Sequence, residues 1–451
     1  MRWVFLHGLA FAGAAACQSG SFFVCNDDAD CLGNGEPGVC QPSSACSFPD
    51  PDCDSGQRYG GSSPPALAGE CVSAEAGTGD TEPTGGGEDD DPTSTTGQPG
   101  TADDTGAICP PDWWDCAWPH RQRLSLTRTI GRPLVDVPVP VLITHGRVDH
   151  ERMQSDGEDV RFVSATGTLL PYEIERWDPS AVSTLWTTPD SLGGSHDHLW
   201  IYYGNREAEN EDDADDTWPE PFVAVMHLED EPLDSSGNDN HAVSSTSSEV
   251  GLGQLANGRQ FLGNNSRLEL ADGPSLDDLF IGGGTLSAWI RPRSWGGSNA
   301  GRIAHKSDSV TGWTFNINAG GQLVFSLVHD TAWTTWQSAD DTLALHRWAH
   351  VAVTFDALGP DAPRLFVDGT ELQLQEPPEP PVLDPDTTSD ATITLVLGNR
   401  LDGARRFIGN IDEFRAERAL RSPTWISVQH DATRDDLLEF GPIESWEGAA
   451  P

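Results

Sequence analysis

Lysine is almost absent from this chain of 451 residues, since Lys306 is the one lysine among 26 basic residues. Basic residues as a class are also scarce, because Asp and Glu number 71 and the formal net charge is −45. So anionic a surface repels phosphate backbones, which argues against nucleic acid as a partner. The acidity has two explanations, cation binding or a solvating surface. The second is favoured because most acidic runs are simply hydrated.

Long apolar runs are missing after the N-terminus, and none reaches the ~20 residues that a membrane helix needs. At the N-terminus, Arg2 precedes a short apolar stretch that ends at Cys17. This arrangement predicts a signal peptide over residues 1–17. Membrane attachment would therefore depend on a lipid at Cys17.

The small residues before Cys17 resemble a bacterial lipobox, although Ala14 stands where Leu is usual. The resemblance implies a lipidated Cys17, and Gln18 after it favours the outer membrane or cell surface. The alternative is cleavage after Ala16 without a lipid, which gives a secreted protein. The nine cysteines favour the lipid, because setting Cys17 aside leaves an even number for disulfides in an oxidising compartment.

Residues 18–72 form a small Cys-rich module that cannot bury a sufficient core and needs covalent links. Its cysteines are Cys25, Cys31, Cys40, Cys46, Cys53 and Cys71. Their pairing stays open. A zinc site is the alternative, disfavoured because no spacing is of the tight CxxC type and an exported chain meets oxidant first.

Composition divides the rest of the chain. Residues 73–108 lack aromatic and basic residues, which predicts an acidic disordered linker. Residues 109–205 form a β-rich domain that opens with Cys109 and Cys116, spaced for a local disulfide. An acidic hinge at 206–221 leads to residues 222–442, and 443–451 are a tail.

Residues 222–442 have regular strand signals and lack a convincing amphipathic helix, apart from a short turn at Ser422–His430. Alternation predicts that Ala349, Val351, Val353 and Phe355 face inward, as do Leu286, Ala288 and Ile290. Asp368-Gly369 is typical of a type I′ hairpin turn. The predicted fold class is all-β, with two stacked antiparallel sheets in this part.

Two pairs of strings resemble known families. FVAVMHLEDEPLDSSGNDNHA and FIGNIDEFRAERAL resemble the laminin-G-like jelly roll of the concanavalin A type. That resemblance implies a sandwich that usually binds glycans or proteins. GEDVRFVSATGTLLPYEIERWD and HDHLWIYYGN resemble DUF2341, a bacterial domain of uncharacterised function that often precedes such a jelly roll. The second resemblance implies an architecture and no chemistry.

The jelly-roll resemblance also implies a structural Ca²⁺ between an early Asp-Ser-Ser-Gly turn and the late Ile-Asp-Glu strand. The candidate ligands are Asp234, Asn238, Asp412 and the Gly237 carbonyl, because calcium takes six to eight oxygen ligands. The alternative is an Asx-type turn that caps the sheet without a metal.

Ligand contact is predicted for tryptophans in the jelly roll, because flat aromatic faces stack on sugar rings. The candidates are Trp295, Trp313, Trp333 and Trp336. The alternative is that these rings close the sandwich core, as expected of Trp289 and Trp348.

Catalytic patterns are weak. Glu173 and Glu175 alternate on one strand face, which more often marks a solvent face than a glycosidase pair. His196 and His198 are interpreted as surface residues, since no third metal ligand lies nearby in the sequence. The jelly roll has no Glu-x-Asp-x-Glu string, and no HExxH or nucleophile elbow occurs.

The sequence therefore predicts a non-catalytic, surface-anchored binding protein for a glycan or an envelope or extracellular protein. The alternatives are an envelope structural or adhesion protein and, less favoured, a glycoside hydrolase or polysaccharide lyase. The ligand and the oligomeric state stay open.

Overall fold

The structure is a computed structural model that describes residues 31–33, 36–41, 46–50, 53, 55–59, 71–72, 109–246, 248–271, 273–381, 383 and 389–446. The predicted signal peptide, Cys17, Cys25 and the predicted linker at 73–108 lie outside the described residues.

The described residues of the Cys-rich module include five short strands. They are β1 (Leu32–Gly33), β2 (Glu36–Pro37), β3 (Val39–Cys40), β4 (Cys46–Pro49) and β5 (Gln57–Tyr59). Disulfides join Cys31 to Cys46 and Cys53 to Cys71, and Cys40 is also disulfide-bonded. The zinc alternative is wrong for these cysteines, because their sulfur atoms are held in disulfides.

The next part of the chain begins with the predicted disulfide between Cys109 and Cys116. Its strands are β6 (His120–Leu126), β7 (Val139–Thr144), β8 (Arg161–Ser164), β9 (Leu169–Leu170), β10 (Tyr172–Arg176), β11 (Val182–Thr187) and β12 (His198–Tyr203). A single turn of helix, α1 (Ala214–Thr217), follows.

The remaining chain contains most of the strands. They are β13 (Phe222–Met226), β14 (Ala242–Thr246), β15 (Ser248–Leu252), β16 (Asn257–Phe261), β17 (Arg267–Leu270), β18 (Gly284–Ser294), β19 (Arg302–Ser307), β20 (Gly312–Ile317), β21 (Leu323–His329), β22 (Ala332–Gln337), β23 (Ala349–Phe355), β24 (Arg364–Val367), β25 (Thr370–Glu371), β26 (Val396–Leu397), β27 (Ile408–Glu417) and β28 (Leu438–Ser445). Helix α2 (Pro423–Thr433) lies before β28, and short 3₁₀ helices lie at His150–Arg152, Pro274–Leu276 and Gly297–Asn299.

The strands from β6 to β28 form two antiparallel sandwiches. In the first sandwich, a five-stranded sheet with the order β28-β6-β12-β8-β9 accompanies a three-stranded sheet with the order β10-β11-β7. In the second, an eight-stranded sheet runs β15-β16-β27-β18-β23-β24-β25, with β13 also paired to β27. Its partner is a seven-stranded sheet with the order β14-β17-β26-β19-β20-β21-β22. The all-β fold class is thereby confirmed.

The core of the second sandwich follows the predicted alternation. The core cluster includes the seven side chains predicted to face inward, namely Leu286, Ala288, Ile290, Ala349, Val351, Val353 and Phe355. Successive side chains of a strand point to opposite faces, so the apolar set of each strand lies between the sheets.

The predicted hairpin at Asp368-Gly369 is also present, and a second hairpin joins β20 and β21. Strands β24 and β25 are joined by Asp368 (φ 48°) and Gly369 (φ 71°), the pair of positive angles that a type I′ turn needs. Strands β20 and β21 pair from Gly312 opposite Val328 to Ile317 opposite Leu323, and the Gly321 N–H donates to the Asn318 carbonyl in the turn between them. The hairpin registers are therefore fixed by local turn chemistry.

Helix α2 lies where the sequence predicts only a short turn. Ser422 caps it by accepting a hydrogen bond from Trp425 N (3.2 Å), and Pro423 occupies the first helical position. Trp425, Ile426 and Val428 are buried, so this helix is held by packing. Among the described helices, none is both long and apolar enough to cross a bilayer.

The two sandwiches share one apolar cluster. It contains Leu124 from the first sandwich, Ala352 and Phe366 from the eight-stranded sheet, and Trp425 from α2. Ala352 alternates with inward residues, so it lies on the outer face of that sheet. The first sandwich and α2 thus cover the outer face of the eight-stranded sheet.

Strand β28 ties the end of the chain back to its beginning. It pairs with β6 of the first sandwich, from Leu438 opposite Leu126 to Ser445 opposite His120. The predicted end of the jelly roll at residue 442 falls inside this strand, which belongs to the other sandwich. The predicted hinge also ends in packed structure, since Trp218 is 1% exposed.

Candidate functional site

A closed group of charged side chains lies where the sandwiches meet. Glu173 and Glu175 are on β10, His227 follows β13, and Glu413 is on β27. His227 donates from Nδ1 to Glu413 Oε1 (2.8 Å) and from Nε2 to Glu173 Oε2 (3.2 Å). The side chains of Glu173 and Glu175 are only 11% and 1% exposed. The predicted solvent face for these two glutamates is therefore wrong, because the second sandwich covers it.

Two tryptophans line this group and donate to its carboxylates. Trp218 Nε1 donates to Glu173 Oε2 (2.5 Å), and Trp186 Nε1 donates to Glu175 Oε2 (2.6 Å). The guanidinium carbon of Arg415 lies 4.6 Å from the Trp186 ring and 4.8 Å from the Trp218 ring. The carboxylates are thus held by directed donors in an apolar setting.

The pKa values in this group separate the glutamates. Burial raises the pKa of Glu175 to about 8. Burial also acts to raise the pKa of Glu173 and of Glu413, but the charge and hydrogen bonds of His227 outweigh it, and both values are lowered. Burial alone would lower the pKa of His227, but Glu413, Glu173 and Glu175 raise it well above its ordinary value.

The charges of the group consequently balance. Ionised Glu173 and Glu413 face protonated His227 and Arg415, whose guanidinium donates to Glu413 Oε2 (2.7 Å), while Glu175 stays neutral. Ligand-type atoms of Glu175, His227 and Glu413 lie within 4.8 Å of one another. Both ring nitrogens of His227 already donate hydrogen bonds to carboxylates. The acids are too deeply buried for a substrate to reach them. The arrangement therefore acts as a structural connection between the sandwiches.

In the turn predicted to bind calcium, the carboxylate of Asp234 accepts hydrogen bonds from backbone N–H groups. Asp234 Oδ1 accepts from Val225 N (2.8 Å) and Ser236 N (3.0 Å), and Oδ2 accepts from Asn240 N (2.9 Å). Asn238 donates through Nδ2 to the Phe222 carbonyl (3.1 Å). These contacts match the Asx-turn alternative, because the carboxylate oxygens are occupied by N–H groups.

Asp412 accepts hydrogen bonds from a different loop. Its Oδ2 accepts from Gln254 N (2.7 Å) and Leu255 N (3.1 Å). Burial, followed by electrostatic interaction with Glu413 and Glu175, raises its pKa well above the ordinary value. Among the described residues, Asp412 and Asp234 share no hydrogen-bond donor. The observed contacts do not join the candidate ligands into one oxygen cage, and calcium binding at Asp234, Gly237, Asn238 and Asp412 stays a prediction.

The candidate tryptophans divide between core and surface. Trp313 (2% exposed) and Trp336 (0% exposed) belong to the core cluster, so the prediction of ligand contact is wrong for both. Trp336 lies against Phe355, with ring centroids 5.4 Å apart. Trp295 is half-buried against the core, and Trp333 is 47% exposed. Trp333 is thus the candidate that is free to stack on a ligand.

Outward side chains of the seven-stranded sheet form cross-strand rows. In one row Ser307 pairs with Gly312, Gly312 with Val328, and Val328 with Trp333. The neighbouring row consists of His305, Thr314, Ser326 and Thr335. Their strand neighbours, such as Phe315 and Phe325, point into the core. On this face, which points away from the first sandwich, Trp333 and Thr335 are exposed, whereas His305, Thr314, Ser326 and Val328 are buried.

An open groove of about 320 Å³ lies at the end of these rows opposite Trp333. Its lining is His305, Ser307, Asp308, Thr392, Ile393, Thr394, Arg400, Leu401 and Asp402. Strands β19 and β22 are separated by three strand spacings, about 14 Å. A ligand that fills the groove and also contacts Trp333 must be an extended molecule.

Sequence reasoning did not identify the groove residues. His305 belongs to β19, whereas Arg400 follows β26, and only the pairing of β19 with β26 brings them together. No motif spacing carries that information. The histidines predicted to lie at the surface are not part of this groove. His198 belongs to β12 of the first sandwich, and its Nδ1 lies 2.7 Å from the exposed Asp197.

Comparison with known families assigns both sandwiches. Residues 262–427 match the concanavalin A-like lectin/glucanases superfamily (Laminin_G_3), and residues 156–238 match the domain of unknown function DUF2341. This chain contains a DUF2341 domain followed by a concanavalin A-like domain. Both resemblances are thereby confirmed. The DUF2341 match extends through β13 into the turn at Asp234, in keeping with the core that the sandwiches share.

Several solved structures are similar to part of the chain. The binding domain of Paraclostridial Mosquitocidal Protein 1 is 16% identical, with a TM-score of 0.38, over 47% of this chain and 52% of that chain. The binding domain of Botulinum neurotoxin DC in complex with rat synaptotagmin II is 14% identical, with a TM-score of 0.38, over 47% and 52% of the two chains.

The Botulinum neurotoxin serotype D ligand binding domain, in complex with N-acetylneuraminic acid, is 14% identical, with a TM-score of 0.37, over 47% and 50%. This chain spans about half the length of these structures, and likeness of this degree does not transfer their ligands to it. None of the curated proteins compared with the sequence matches it.

Proposed function

We propose that this chain is an exported, non-catalytic binding protein whose concanavalin A-like sandwich binds a glycan chain. The glycan would lie across the outer face of the seven-stranded sheet, from the groove at His305 to Trp333. A lipid on Cys17 would anchor the protein at the cell surface, and the linker at 73–108 would extend the sandwiches away from the membrane.

The observation that carries this proposal is the pairing register of the outer face. An open groove and an exposed indole lie on one face of one sheet, with the exposed Thr335 on the strand of Trp333 and the buried Thr314 and Ser326 between them. Hydroxyl groups suit hydrogen bonds to sugar hydroxyls, and an indole face suits stacking. The centre of the outer face of the eight-stranded sheet, at Ala352 and Phe366, is covered by the first sandwich and α2.

The acids in the groove are held in ways that do not suit glycoside hydrolysis. Asp308 accepts hydrogen bonds from Val310 N (2.7 Å) and Thr311 N (3.0 Å), and these backbone N–H groups lower its pKa. Asp402 is paired with Arg400 at 2.9 Å. A glycosidase general acid needs a raised pKa beside a second free carboxylate. These contacts support a binding role.

The test is glycan binding by the full chain and by the Trp333→Ala variant. We expect wild type to bind at least one class of oligosaccharide on a glycan array and in calorimetry. Loss of the indole face should weaken that binding roughly tenfold, since aromatic contacts contribute about 1 kcal/mol or more. The matched control is Leu252→Ala, an exposed apolar side chain on the eight-stranded sheet (74% exposed).

Three outcomes would contradict the proposal. The first is silence on the array together with binding to whole envelopes that protease treatment of the envelopes abolishes, which would favour a protein ligand and an adhesion role. The second is equal loss of binding in the Trp333 and Leu252 variants, which would place the ligand elsewhere. The third is release of shortened sugars from any bound oligosaccharide, which would establish an enzyme.

A further inference from the structure

A buried arginine without a counter-ion lies on β19, the strand that supplies His305 and Ser307 to the groove. Arg302 on β19 is 8% exposed, and its Nε is buried without a hydrogen-bond partner. Within the part of the chain that the structure describes, the Arg302 side chain forms no ion pair. Since the chain has 71 acidic residues against 26 basic ones, a buried arginine without an acidic partner is unexpected.

The charged neighbours of Arg302 are themselves cations. Burial, followed by the charges of Arg405 and Arg400, lowers its pKa to about 10, so it remains charged at neutral pH. Arg400 lies in the groove lining, where Asp402 compensates it, and Arg405 donates to the Ser298 carbonyl (3.3 Å). The charges that act on Arg302 are thus those of two further guanidinium groups.

His305 adds a second unsatisfied polar group at the same place. It lines the groove, is 6% exposed, and its Nδ1 is buried without a partner. Burial and the charges of Arg302 and Arg400 lower its pKa to about 3, so the imidazole is neutral. A neutral imidazole can donate to an anion from one nitrogen and accept from a sugar hydroxyl with the other.

We propose that this groove binds the acidic group of an anionic saccharide, with Arg400 as its cationic contact, His305 as a neutral hydrogen-bonding contact, and Arg302 and Arg405 adding positive charge nearby. The inference rests on the proposed function and names the ligand class for it. A guanidinium presents a planar fork of donors that matches a carboxylate or a sulfate. The bound anion would satisfy the charge that the protein itself leaves uncompensated.

The rest of the saccharide would follow the rows of the sheet. Thr392 and Thr394 present hydroxyl groups at the groove, and Trp333 lies about 14 Å away across the strands. A single acidic sugar cannot span that distance. We therefore expect longer acidic oligosaccharides to bind more tightly than the corresponding monosaccharide.

The experiment measures binding of four probes to the full chain at 0.15 M salt, where the field of the acidic surface is screened beyond ~8 Å. The probes are oligogalacturonate, a heparin-derived oligosaccharide, a neutral cello-oligosaccharide of equal length, and poly-glutamate. We expect one acidic saccharide to bind at least tenfold more tightly than the neutral one. The first two probes distinguish a saccharide with carboxylates alone from one that also carries sulfates.

The variants are Arg302→Met and Arg400→Gln, with Arg364→Gln as a matched control. Arg364 is an arginine of β24 in the eight-stranded sheet, paired with Glu371 at 2.7 Å. We expect both groove variants to lose at least tenfold in affinity for the acidic saccharide and to change affinity for the neutral one less than twofold. Arg302→Met should retain or raise the melting temperature, because no hydrogen bond of that side chain is lost.

Several results would overturn the inference. Equal affinity for acidic and neutral saccharides would refute it and leave the proposed function standing, provided that Trp333→Ala still weakens binding. Tighter binding of poly-glutamate than of any saccharide would assign the groove to an acidic protein segment. If Arg302→Met unfolds the chain, Arg400→Gln alone decides, and an unchanged affinity for acidic saccharide in that variant refutes the proposal.

Discussion

Replacing Glu175 of β10 by glutamine should stabilise the protein, whereas replacing Glu173 of the same strand by glutamine should destabilise it. Glu175 is neutral in the folded protein, because burial raises its pKa to about 8 from the ordinary 4.5. Glu173 is ionised and accepts a hydrogen bond from His227 (3.2 Å). Glu175→Gln therefore removes a group whose ionised form the fold disfavours, whereas Glu173→Gln removes a charge that the fold requires.

The magnitude for Glu175 follows from proton linkage. Its folded-state pKa is raised, so its stabilising contribution is complete below pH 4.5 and is lost as the pH rises towards 8. At about 1.4 kcal/mol per pH unit, the loss between pH 4.5 and pH 7 is on the order of 3 kcal/mol. A glutamine does not titrate, so it avoids this loss. Relative to wild type, the free energy of unfolding of Glu175→Gln should therefore rise by about that amount between pH 4.5 and pH 7.

The magnitude for Glu173 follows from its ion pair. Its folded-state pKa is lowered, so its stabilising contribution is present above the ordinary value of 4.5 and is lost as the pH falls. Breaking a buried pair leaves the partner charge of His227 uncompensated and costs about 3–5 kcal/mol. Trp218 can still donate to the glutamine oxygen, so the difference measures the charge.

The assay is urea denaturation of the oxidised full chain at pH 5, 7 and 8, followed by tryptophan fluorescence and circular dichroism. Trp186 and Trp218 contact the glutamates and report on this interface directly. The raised pKa of His227 makes the wild type lose stability as the pH rises above 6.5, so Glu175→Gln should reduce the pH dependence without abolishing it.

The reasoning would be refuted if Glu175→Gln destabilised the protein at pH 7 as much as Glu173→Gln does. It would also fail if the difference between Glu175→Gln and wild type stayed constant from pH 5 to pH 8. In either case Glu175 would be ionised in the folded protein, and the charge balance with His227 and Arg415 would be incorrect.

Three further predictions concern other parts of the chain. Cys17→Ala should abolish incorporation of labelled palmitate and move the protein from the membrane fraction to the soluble one, and label that persists would disprove lipidation at this residue. A structural Ca²⁺ at Asp234 and Asp412 requires that EDTA lower the melting temperature by several degrees, since ligand at 100 times its Kd contributes about 2.7 kcal/mol, and an unchanged melting temperature removes the calcium prediction. Amine reagents should leave Lys306 unlabelled until the protein unfolds, because its side chain is 1% exposed and Nζ donates to the Asp390 carbonyl (2.8 Å). Label on Lys306 of the native protein, detected by peptide mass spectrometry, would contradict this burial.

The inward faces of the strands could be predicted because they depend on a local period. Val351 and Val353 alternate with polar or small residues, so a period of two assigns them to one face whatever the tertiary context. Asp368-Gly369 likewise carries its own turn geometry. These features need only the neighbouring residues of the chain.

Outward faces could not be predicted, because alternation does not say what covers a face. Glu175 alternates as a surface residue would, but the second sandwich lies over it. The same limit applies to the tryptophans. Trp333 and Trp336 are three residues apart, so they must point to opposite faces of one strand. That spacing was a usable signal that one of the two belongs to the core.

The amino-acid sequence by itself determined the all-β class, the disulfide between Cys109 and Cys116, the turns and the inward residues, because each of these depends on composition or on contacts close along the chain. Only the tertiary structure decided which sheet face stays open, how β28 returns to β6, and which arginines meet beside His305. Those features arise from strand pairing between distant segments, where the burial of a charge depends on groups that no local pattern specifies.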